Sequence, residues 1–342
     1  MVYENQKFSL NGPLYLTTID WGNDNHKRAV VASLVQGVYT LEHDRRHDRQ
    51  GDNALAPPWW QFFNFRLVRT LIDSKDASIF GAVFEFIKYP HGQTAGMPQY
   101  VIAFRGTLLK PETWEEDVKL NFKLFLNGLE ESNRFQKGLE AASQTTDYKS
   151  VWLAGHSQGS SLALAVGREM VKRFRACLET YLFNPPFISL PIDQIKSEKV
   201  KLGHRITSSL LTAGLTATAV AVAADAVRAD PFAPLSAWVP HLFINRADPL
   251  CSKYAGHFEH REYMEAIGAG EIAESSIGSI LSSREALHLL PCAHLTFNVT
   301  AAPRFEDAHG IRREWLTFKE AHGIDQWWRR GLEVECKHYQ HT

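Results

Sequence analysis

The chain has 342 residues, of which 44% are hydrophobic and 22% are charged, and its formal net charge is −1. This composition argues against a disordered chain, and the length fits one large α/β domain with insertions. The near-zero charge provides no strong field for nucleic acid or an acidic membrane. We therefore expect no nucleic-acid partner and at most peripheral membrane contact.

The cysteines and the first residues of the chain bear on its compartment. The sequence has 4 cysteines, and no pair has the Cys-x-x-Cys spacing of a metal or redox site. The first residues lack a basic region followed by an apolar run, so no secretory signal is visible. These features predict a cytoplasmic protein with reduced cysteines.

Two segments in the first part of the chain have unusual composition. The charged run His43–Arg49 alternates in sign, which is typical of a solvated loop or helix end. The aromatic block Pro57–Phe65 is typical of a core helix entered through proline. Its alternative interpretation is an apolar wall of a substrate pocket.

Apolar, β-rich runs then alternate with helical patterns. Residues at helical spacing predict a helix from Gln158 to about Phe174. Alternating strands and helices predict an α/β fold, in which a mostly parallel sheet has helices on both faces. The predicted strands are Ile79–Ile87, Tyr100–Phe104, Val151–Ala154, Tyr181–Phe183 and His241–Asn245.

The segment Gly155–Gly159 reads Gly-His-Ser-Gln-Gly and lies between a predicted strand and a predicted helix. This context is that of a nucleophile elbow, in which a sharp turn lifts a serine hydroxyl above the sheet. Flanking glycines leave room where a Cβ would clash. The motif predicts Ser157 as the nucleophile and the backbone N–H of Gln158 as one donor to the oxyanion.

The second oxyanion donor should come from a loop after an earlier strand. Arg105-Gly106-Thr107 follows the strand Tyr100–Phe104. Thr107 could supply its N–H and its hydroxyl, and Gly106 allows close approach. The alternative is an ordinary turn at the end of a strand.

A serine nucleophile needs a histidine base and a carboxylate that orients it, in the order Ser, Asp or Glu, His along the chain. Asp248 follows the strand His241–Asn245 and is the best carboxylate candidate, ahead of Asp193 and Asp225. The histidines that follow Asp248 and could act as base are His288, His294, His309 and His322.

The apolar stretch Ser208–Ala224 is too short and too rich in threonine for a membrane span. We expect residues 203–238 to form a cap over the active site, with Leu210–Leu215 lining an acyl pocket. The alternative is a buried helix packed on the sheet away from Ser157. His257 and His260 have no third ligand nearby in sequence, so no metal site is expected there.

Together, several blocks of sequence resemble the class 3 lipase family, and more closely its plant branch. That branch is often labelled GDSL esterase/lipase, although this chain contains no GDSL tetrapeptide. The likeness runs from about Leu14 to the C-terminus. The blocks are Phe104–Thr107, Gly155–Gly159, Asn245–Asp248 and Ala321–Trp328.

With the length, the resemblance leads us to expect a single α/β-hydrolase domain over residues 1–342, with the cap at 203–238 as an insertion. It implies a catalytic triad of Ser157, Asp248 and His322, and an oxyanion hole formed by Thr107 and Gln158. It also implies hydrolysis of a small-molecule ester or acyl lipid without a metal or organic cofactor. The oligomeric state is not indicated.

The chain departs from the family pattern at its C-terminal end. Phe305–Ile311 and Phe318–Ile324 are imperfect copies of one block, and the family has one. The adjacent Trp327 and Trp328 follow the second copy and favour His322 as the base, because buried tryptophans can fix the loop before them. The distance from Leu295–Asn298 favours the first copy, and hence His309.

Two other functions fit the same residues. An acyltransferase would form the same acyl-serine intermediate and pass the acyl group to an alcohol or amine instead of water. A non-catalytic binding protein could use a hydrolase fold, but such proteins usually lose a triad member. Here a candidate for every role is present, which favours an enzyme over a binding protein; hydrolysis and acyl transfer share the first half-reaction, so the sequence does not separate them.

Overall fold

In a computed structural model, the described residues are 6–87, 96–108, 129, 131–144, 147–187, 233–266, 290–300 and 310–340. Within these ranges the 8 strands form one sheet, and their order in the sheet follows their order in the chain. The strands are β1 (Phe65–Ile72), β2 (Ile79–Phe86), β3 (Tyr100–Phe104), β4 (Val151–His156), β5 (Glu179–Phe183), β6 (His241–Asn245), β7 (Ala293–Asn298) and β8 (Val334–Tyr339).

The centre of the sheet is parallel and its two edges are antiparallel. Strands β3 to β7 pair in parallel, whereas β1, β2 and β8 join through antiparallel pairs. The helices are α1 (Phe8–Asn11), α2 (Asp24–Arg46), α3 (Pro58–Gln61), α4 (Asn133–Ser143), α5 (Gln158–Phe174), α6 (Lys253–Ala266) and α7 (Gly310–His322). This mostly parallel sheet with helices is an α/β-hydrolase fold, as the sequence predicts.

Two hydrophobic clusters lie on opposite faces of the sheet. Helices α4, α5 and α6 contribute to one cluster, and α1, α2 and α3 contribute to the other. The strands between them are buried on both faces, and every residue of β4 is buried. Buried parallel strands read as continuous apolar runs, which is why the central strands were visible in the sequence. The helix predicted at Gln158–Phe174 is α5, with the same bounds.

The aromatic block Pro57–Phe65 belongs to the core. Trp59 and Phe63 are fully buried, and Trp60 packs against Phe84 of β2 with ring centroids 5.4 Å apart. The interpretation as a core helix entered through proline is confirmed, although α3 is only 4 residues long.

The charged run His43–Arg49 lies at the end of α2, as the interpretation as a helix end predicts. It is not fully exposed to solvent. Asp44 is buried, and its carboxylate accepts hydrogen bonds from Arg49 (2.7 Å) and from the N–H groups of Leu55 (3.0 Å) and Ala56 (2.9 Å). Burial of a carboxylate requires such donors. The run therefore fastens the end of α2 to the following loop.

Residues 203–232 of the predicted cap, including Leu210–Leu215 and nearly all hydrophobic positions of that segment, lie outside the described residues. Its last part is described, and there Trp238 is buried with its Nε1 donating to the carbonyl of Leu178 (2.9 Å). This end of the segment therefore belongs to the core beside α5. Among the described helices, none is long and apolar enough to span a membrane.

Glu42, on α2, is a fully buried carboxylate. It accepts hydrogen bonds from Arg45 (2.8 Å), Arg46 (2.7 Å) and the backbone N–H of Ile79 (2.8 Å). Burial opposes ionisation, but these hydrogen bonds outweigh it and lower the pKa of Glu42 from 4.5 to about 2. The charged carboxylate therefore ties α2 to the first residue of β2.

We predict that Glu42→Gln lowers the free energy of unfolding by about 1–3 kcal/mol at pH 7, because buried donors lose a charged acceptor. The lowered pKa means that this stabilisation is present above about pH 4.5 and is lost as the pH falls towards 2. Denaturant unfolding should therefore show a smaller difference from wild type at pH 3 than at pH 7. Asp24→Asn, which breaks an exposed ion pair with Lys27, is the control and should be nearly neutral. Equal losses in both variants would contradict the prediction.

Candidate active site

The carboxyl ends of four neighbouring parallel strands bring the predicted site residues, together with Asn184, to one end of the strands. Arg105–Thr107 follows β3, Ser157 follows β4, Asn184 follows β5, and Asp248 lies in the loop after β6. In open α/β sheets this end is where ligands bind. The end of α7 brings His322 to the same place.

Ser157 has the backbone geometry of a strained elbow, with φ 55° and ψ −125°. Its N–H donates to the carbonyl of Phe183 at the end of β5 (3.0 Å), which holds the turn. A Cβ on Gly155 would overlap the carbonyl oxygen of Gly159, and a Cβ on Gly159 would overlap that of Phe104. The elbow therefore requires glycine on both sides, and strain of this kind is typical of a functional site.

Two hydrogen bonds, one to the backbone N–H and one to the backbone carbonyl of Gly106, fix the loop after β3. Its N–H donates to the hydroxyl of Tyr39 (2.7 Å), and its carbonyl accepts from the guanidinium of Arg105 (2.7 Å). A Cβ on Gly106 would lie 2.8 Å from the Cβ of Ser157, so the backbone here approaches the serine closely. Thr107 is the next residue in this loop, and Gln158 is the first residue of α5. The two predicted oxyanion donors thus belong to the loop that approaches Ser157 at Gly106 and to the helix that begins directly after Ser157.

Asp248 and His322 form a buried pair. Nδ1 of His322 is 2.7 Å from Oδ2 of Asp248, and the two side chains are 6% and 0% exposed. Burial opposes ionisation of Asp248, but His322 and hydrogen bonds from Asn184 and the N–H of Leu250 outweigh it and lower the pKa of the carboxyl. Among the described residues, Nε2 of His322 is buried without a hydrogen-bond partner. Asp248 therefore orients the ring and leaves its second nitrogen available to accept a proton.

Asn184 is a site residue that the sequence interpretation missed. Its Nδ2 donates to Oδ2 of Asp248 (2.7 Å) and to the carbonyl of Ala321 (3.0 Å), and its Oδ1 accepts from Nε1 of Trp327 (2.7 Å). It has φ 46°, a conformation that asparagine tolerates better than most residues. The available signal was its position: it directly follows a predicted strand, at the same end of the strands as Ser157 and Asp248.

The structure places His322 differently from the sequence interpretation. His322 is the last residue of α7, not part of a loop before a helix, and a 3₁₀ helix, Ile324–Trp328, follows it. The expected anchoring by tryptophan is present: Trp327 is fully buried, and Nε1 of Trp328 donates to the carbonyl of Asn11 (2.7 Å). A helix C-terminus also stabilises positive charge on a histidine that has accepted a proton.

The rival candidates fall elsewhere or outside the described residues. His294 lies near the start of β7 and pairs in register with His241 at the start of β6. It is therefore at the amino ends of the parallel strands, whereas Ser157 is at their carboxyl ends. This position excludes His294 as the base. The remaining candidates, His288, His309, Asp193 and Asp225, lie outside the described residues. Within the described ranges, no group of three or more His, Cys, Asp or Glu residues is arranged to hold a metal ion.

We predict that Gly155→Ala lowers the free energy of unfolding by about 1–3 kcal/mol, because the new methyl group meets backbone atoms that cannot move aside. The matched control is Gly256→Ala in α6, where an added Cβ meets nothing within 4 Å. Alanine there should be neutral or stabilising by up to about 1 kcal/mol. Denaturant unfolding compares the two, and similar stabilities would contradict the description of the elbow.

Comparison with known proteins gives a curated relative over the full length. GDSL esterase/lipase At4g10955 from Arabidopsis thaliana is 41% identical over 363 residues, covering 100% of this chain and 99% of the relative. The family described as Mbeg1-like matches residues 68–189, which include Ser157. This chain has no Gly-Asp-Ser-Leu sequence, and its candidate nucleophile lies in Gly-His-Ser-Gln-Gly instead.

Two solved structures of lipases also match. The lipase from Rhizopus microsporus var. chinensis is 13% identical with a TM-score of 0.36, covering 68% of this chain and 69% of that chain. The native Rhizomucor miehei lipase propeptide complex is 12% identical with a TM-score of 0.34, covering 75% and 76%. The family itself follows from the full-length identity to the plant relative. On that ground the chain belongs to the family of the plant GDSL esterase/lipase At4g10955 and is a carboxylic ester hydrolase.

Proposed function

We propose that this chain is a serine hydrolase that cleaves carboxylic esters of the acyl-lipid type through an acyl intermediate on Ser157. One observation carries the proposal. A buried Asp248–His322 pair, with 2.7 Å between Oδ2 and Nδ1, lies at the same carboxyl ends of the strands as a serine in a strained elbow. The ring of His322 is 4.9 Å, between centroids, from that of His156, the residue before Ser157. This combination is the one that turns a serine hydroxyl into a nucleophile.

In the proposed first half-reaction, the hydroxyl oxygen of Ser157 attacks the ester carbonyl while Nε2 of His322 takes the hydroxyl proton. Asp248 stabilises the resulting imidazolium, and its lowered pKa keeps it charged for that task. The negative oxygen of the tetrahedral intermediate accepts hydrogen bonds from the N–H groups of Gln158 and Thr107. Collapse of the intermediate breaks the ester bond, and His322 passes its proton to the leaving alcohol.

In the second half-reaction, water replaces the alcohol. His322 takes a proton from the water, which attacks the acyl carbonyl, and the same N–H groups hold the new oxyanion. The bond to Ser157 then breaks and the serine oxygen recovers its proton from His322, which releases a carboxylic acid. The residues named here are sufficient for both steps without a cofactor.

The substrate class rests on the family and on the printed name of the relative. An esterase/lipase name indicates a small-molecule ester or lipid, and we carry that class to this chain. The preferred length of the substrate's acyl chain is determined by measuring turnover of a panel of esters that share one alcohol and differ in acyl length.

The nucleophile is tested by labelling with a fluorophosphonate probe and mapping the labelled peptide. We predict that Ser157→Ala abolishes labelling and lowers ester turnover by several orders of magnitude, because the triad acts as a unit. Ser161→Ala, one turn further along α5, is the control and should label normally. Full labelling of the Ser157→Ala variant would exclude this serine as the nucleophile.

The base and carboxylate are tested separately. We predict that His322→Ala abolishes ester turnover, and that Asp248→Asn lowers kcat by about 10⁴-fold because an amide cannot hold the required imidazole tautomer. His309→Ala is the matched control, since His309 occupies the same place in the other copy of the block. It should keep most activity. Loss of turnover in His309→Ala with activity retained in His322→Ala would reverse the assignment.

A further inference from the structure

A second histidine lies in the candidate site, and the proposed reaction does not use it. His156 is buried directly before Ser157, and its two ring nitrogens have different partners. Its Nε2 is 2.7 Å from the backbone carbonyl oxygen of His322, and its Nδ1 is 2.7 Å from the hydroxyl of Tyr39. His156 therefore bridges α2 and the main chain of the proposed base.

The partners of His156, together with the neutral state of its ring, fix the direction of every hydrogen bond. A carbonyl oxygen can only accept, so Nε2 of His156 carries the hydrogen and donates to His322. Nδ1 then has a lone pair and accepts from the hydroxyl of Tyr39. That hydroxyl oxygen in turn accepts from the N–H of Gly106 (2.7 Å). The result is one directed chain of hydrogen bonds from Gly106 through Tyr39 and His156 to the carbonyl of His322.

This chain requires a neutral His156, because a charged ring would have no acceptor for Tyr39. Burial is the largest cause and the neighbouring His322 the next, and they lower the pKa of His156 to about 3. Burial likewise raises the pKa of Tyr39 well above 10, so its hydroxyl keeps its proton. His156 therefore stays neutral and Tyr39 stays protonated around neutral pH, so the hydrogen bonds between them keep their directions.

We propose that Tyr39 and His156 are positioning residues that hold the loop carrying Thr107 and the backbone of His322 at a fixed separation around Ser157. The inference rests on the proposed function, because it assigns what these residues hold in place. In the proposed reaction the loop supplies an oxyanion donor and α7 supplies the base, so their separation around Ser157 matters for catalysis. One chain of hydrogen bonds, through the half-buried Tyr39 and the buried His156, holds this separation in the absence of substrate.

The observable consequence is a defect in chemistry and not in binding. Oxyanion donors act in the transition state, so displacing their loop should lower kcat and leave KM nearly unchanged. We expect Tyr39→Phe, which removes only the hydroxyl, to lower kcat about tenfold to a hundredfold with KM within about twofold. His156→Gln, whose amide can still donate towards the carbonyl of His322 but does not reproduce the ring, should show a similar defect.

Counting the reactive serines distinguishes a positioning role from a role in folding alone. Fluorophosphonate labelling carried to completion counts the folded sites, and kcat is then expressed per labelled serine. A residue that only supports folding would lower the number of sites and leave kcat per site unchanged. Tyr181→Phe is the matched control, since its buried ring also carries a bonded hydroxyl, to Glu179 (3.1 Å), away from the candidate site. It should keep kcat per site.

Coupling between the two residues is tested in the double variant. Because both belong to one chain of hydrogen bonds, Tyr39→Phe combined with His156→Gln should lower kcat by much less than the product of the single effects. Unchanged kcat per site in the single variants, or fully multiplicative effects in the double variant, would overturn the inference. If Tyr39→Phe yields no folded protein, His156→Gln decides alone by the same measurement.

Failure of the inference can be told apart from failure of the proposed function. If Ser157→Ala still labels and turns over ester, the proposed function is wrong whatever the Tyr39 variant does. If Ser157→Ala is inactive and Tyr39→Phe matches wild type per labelled serine, only the positioning role is wrong.

Discussion

The buried carboxylate of Asp248 is the constraint on which the rest of the site depends. A charge with no exposed surface is tolerated only when its oxygens are satisfied by donors. Here the donors come from three separate segments: Asn184 after β5, the N–H of Leu250 within the loop itself, and the ring of His322 at the end of α7. Satisfying this one charge therefore fixes the relative positions of the segments that the proposed reaction needs.

Asn184 shows how the same constraint spreads into the core. Its amide nitrogen serves the carboxylate and the end of α7, while its amide oxygen accepts from the indole of Trp327. Trp327 is fully buried against Phe243 of β6, with ring centroids 5.4 Å apart. The packing of Trp327 is thereby linked through Asn184 to the position of His322, the proposed base. The polar and apolar parts of the site therefore stabilise each other.

How much the sequence could predict depends on the range of the interactions. Ser157 and Asp248 were identifiable because each follows a buried apolar strand, and the elbow at Ser157 needs only local geometry. Tyr39 was missed because its role rests on contacts with residues 67 and 117 positions away, which no local pattern encodes. Helix α2 was missed for a different reason: its run Ala29–Val35 is almost entirely buried, so it lacks the polar face that marks an amphipathic helix. The edge strand β8 is largely exposed and carries little apolar signal.

The missed helix α2 is also the element that connects the two halves of the candidate site. Arg28 and Tyr39 are about three helical turns apart and so face the same side of α2. Nε of Arg28 donates to the carbonyl of Trp327 (3.0 Å), beyond the proposed base, while Tyr39 accepts from Gly106 in the loop after β3, which carries the proposed oxyanion donor Thr107. Glu42, one turn further on, receives the N–H of Ile79 opposite that loop. Because one helix holds hydrogen bonds to the segments that carry the proposed base and the proposed oxyanion donor, it sets the spacing between them.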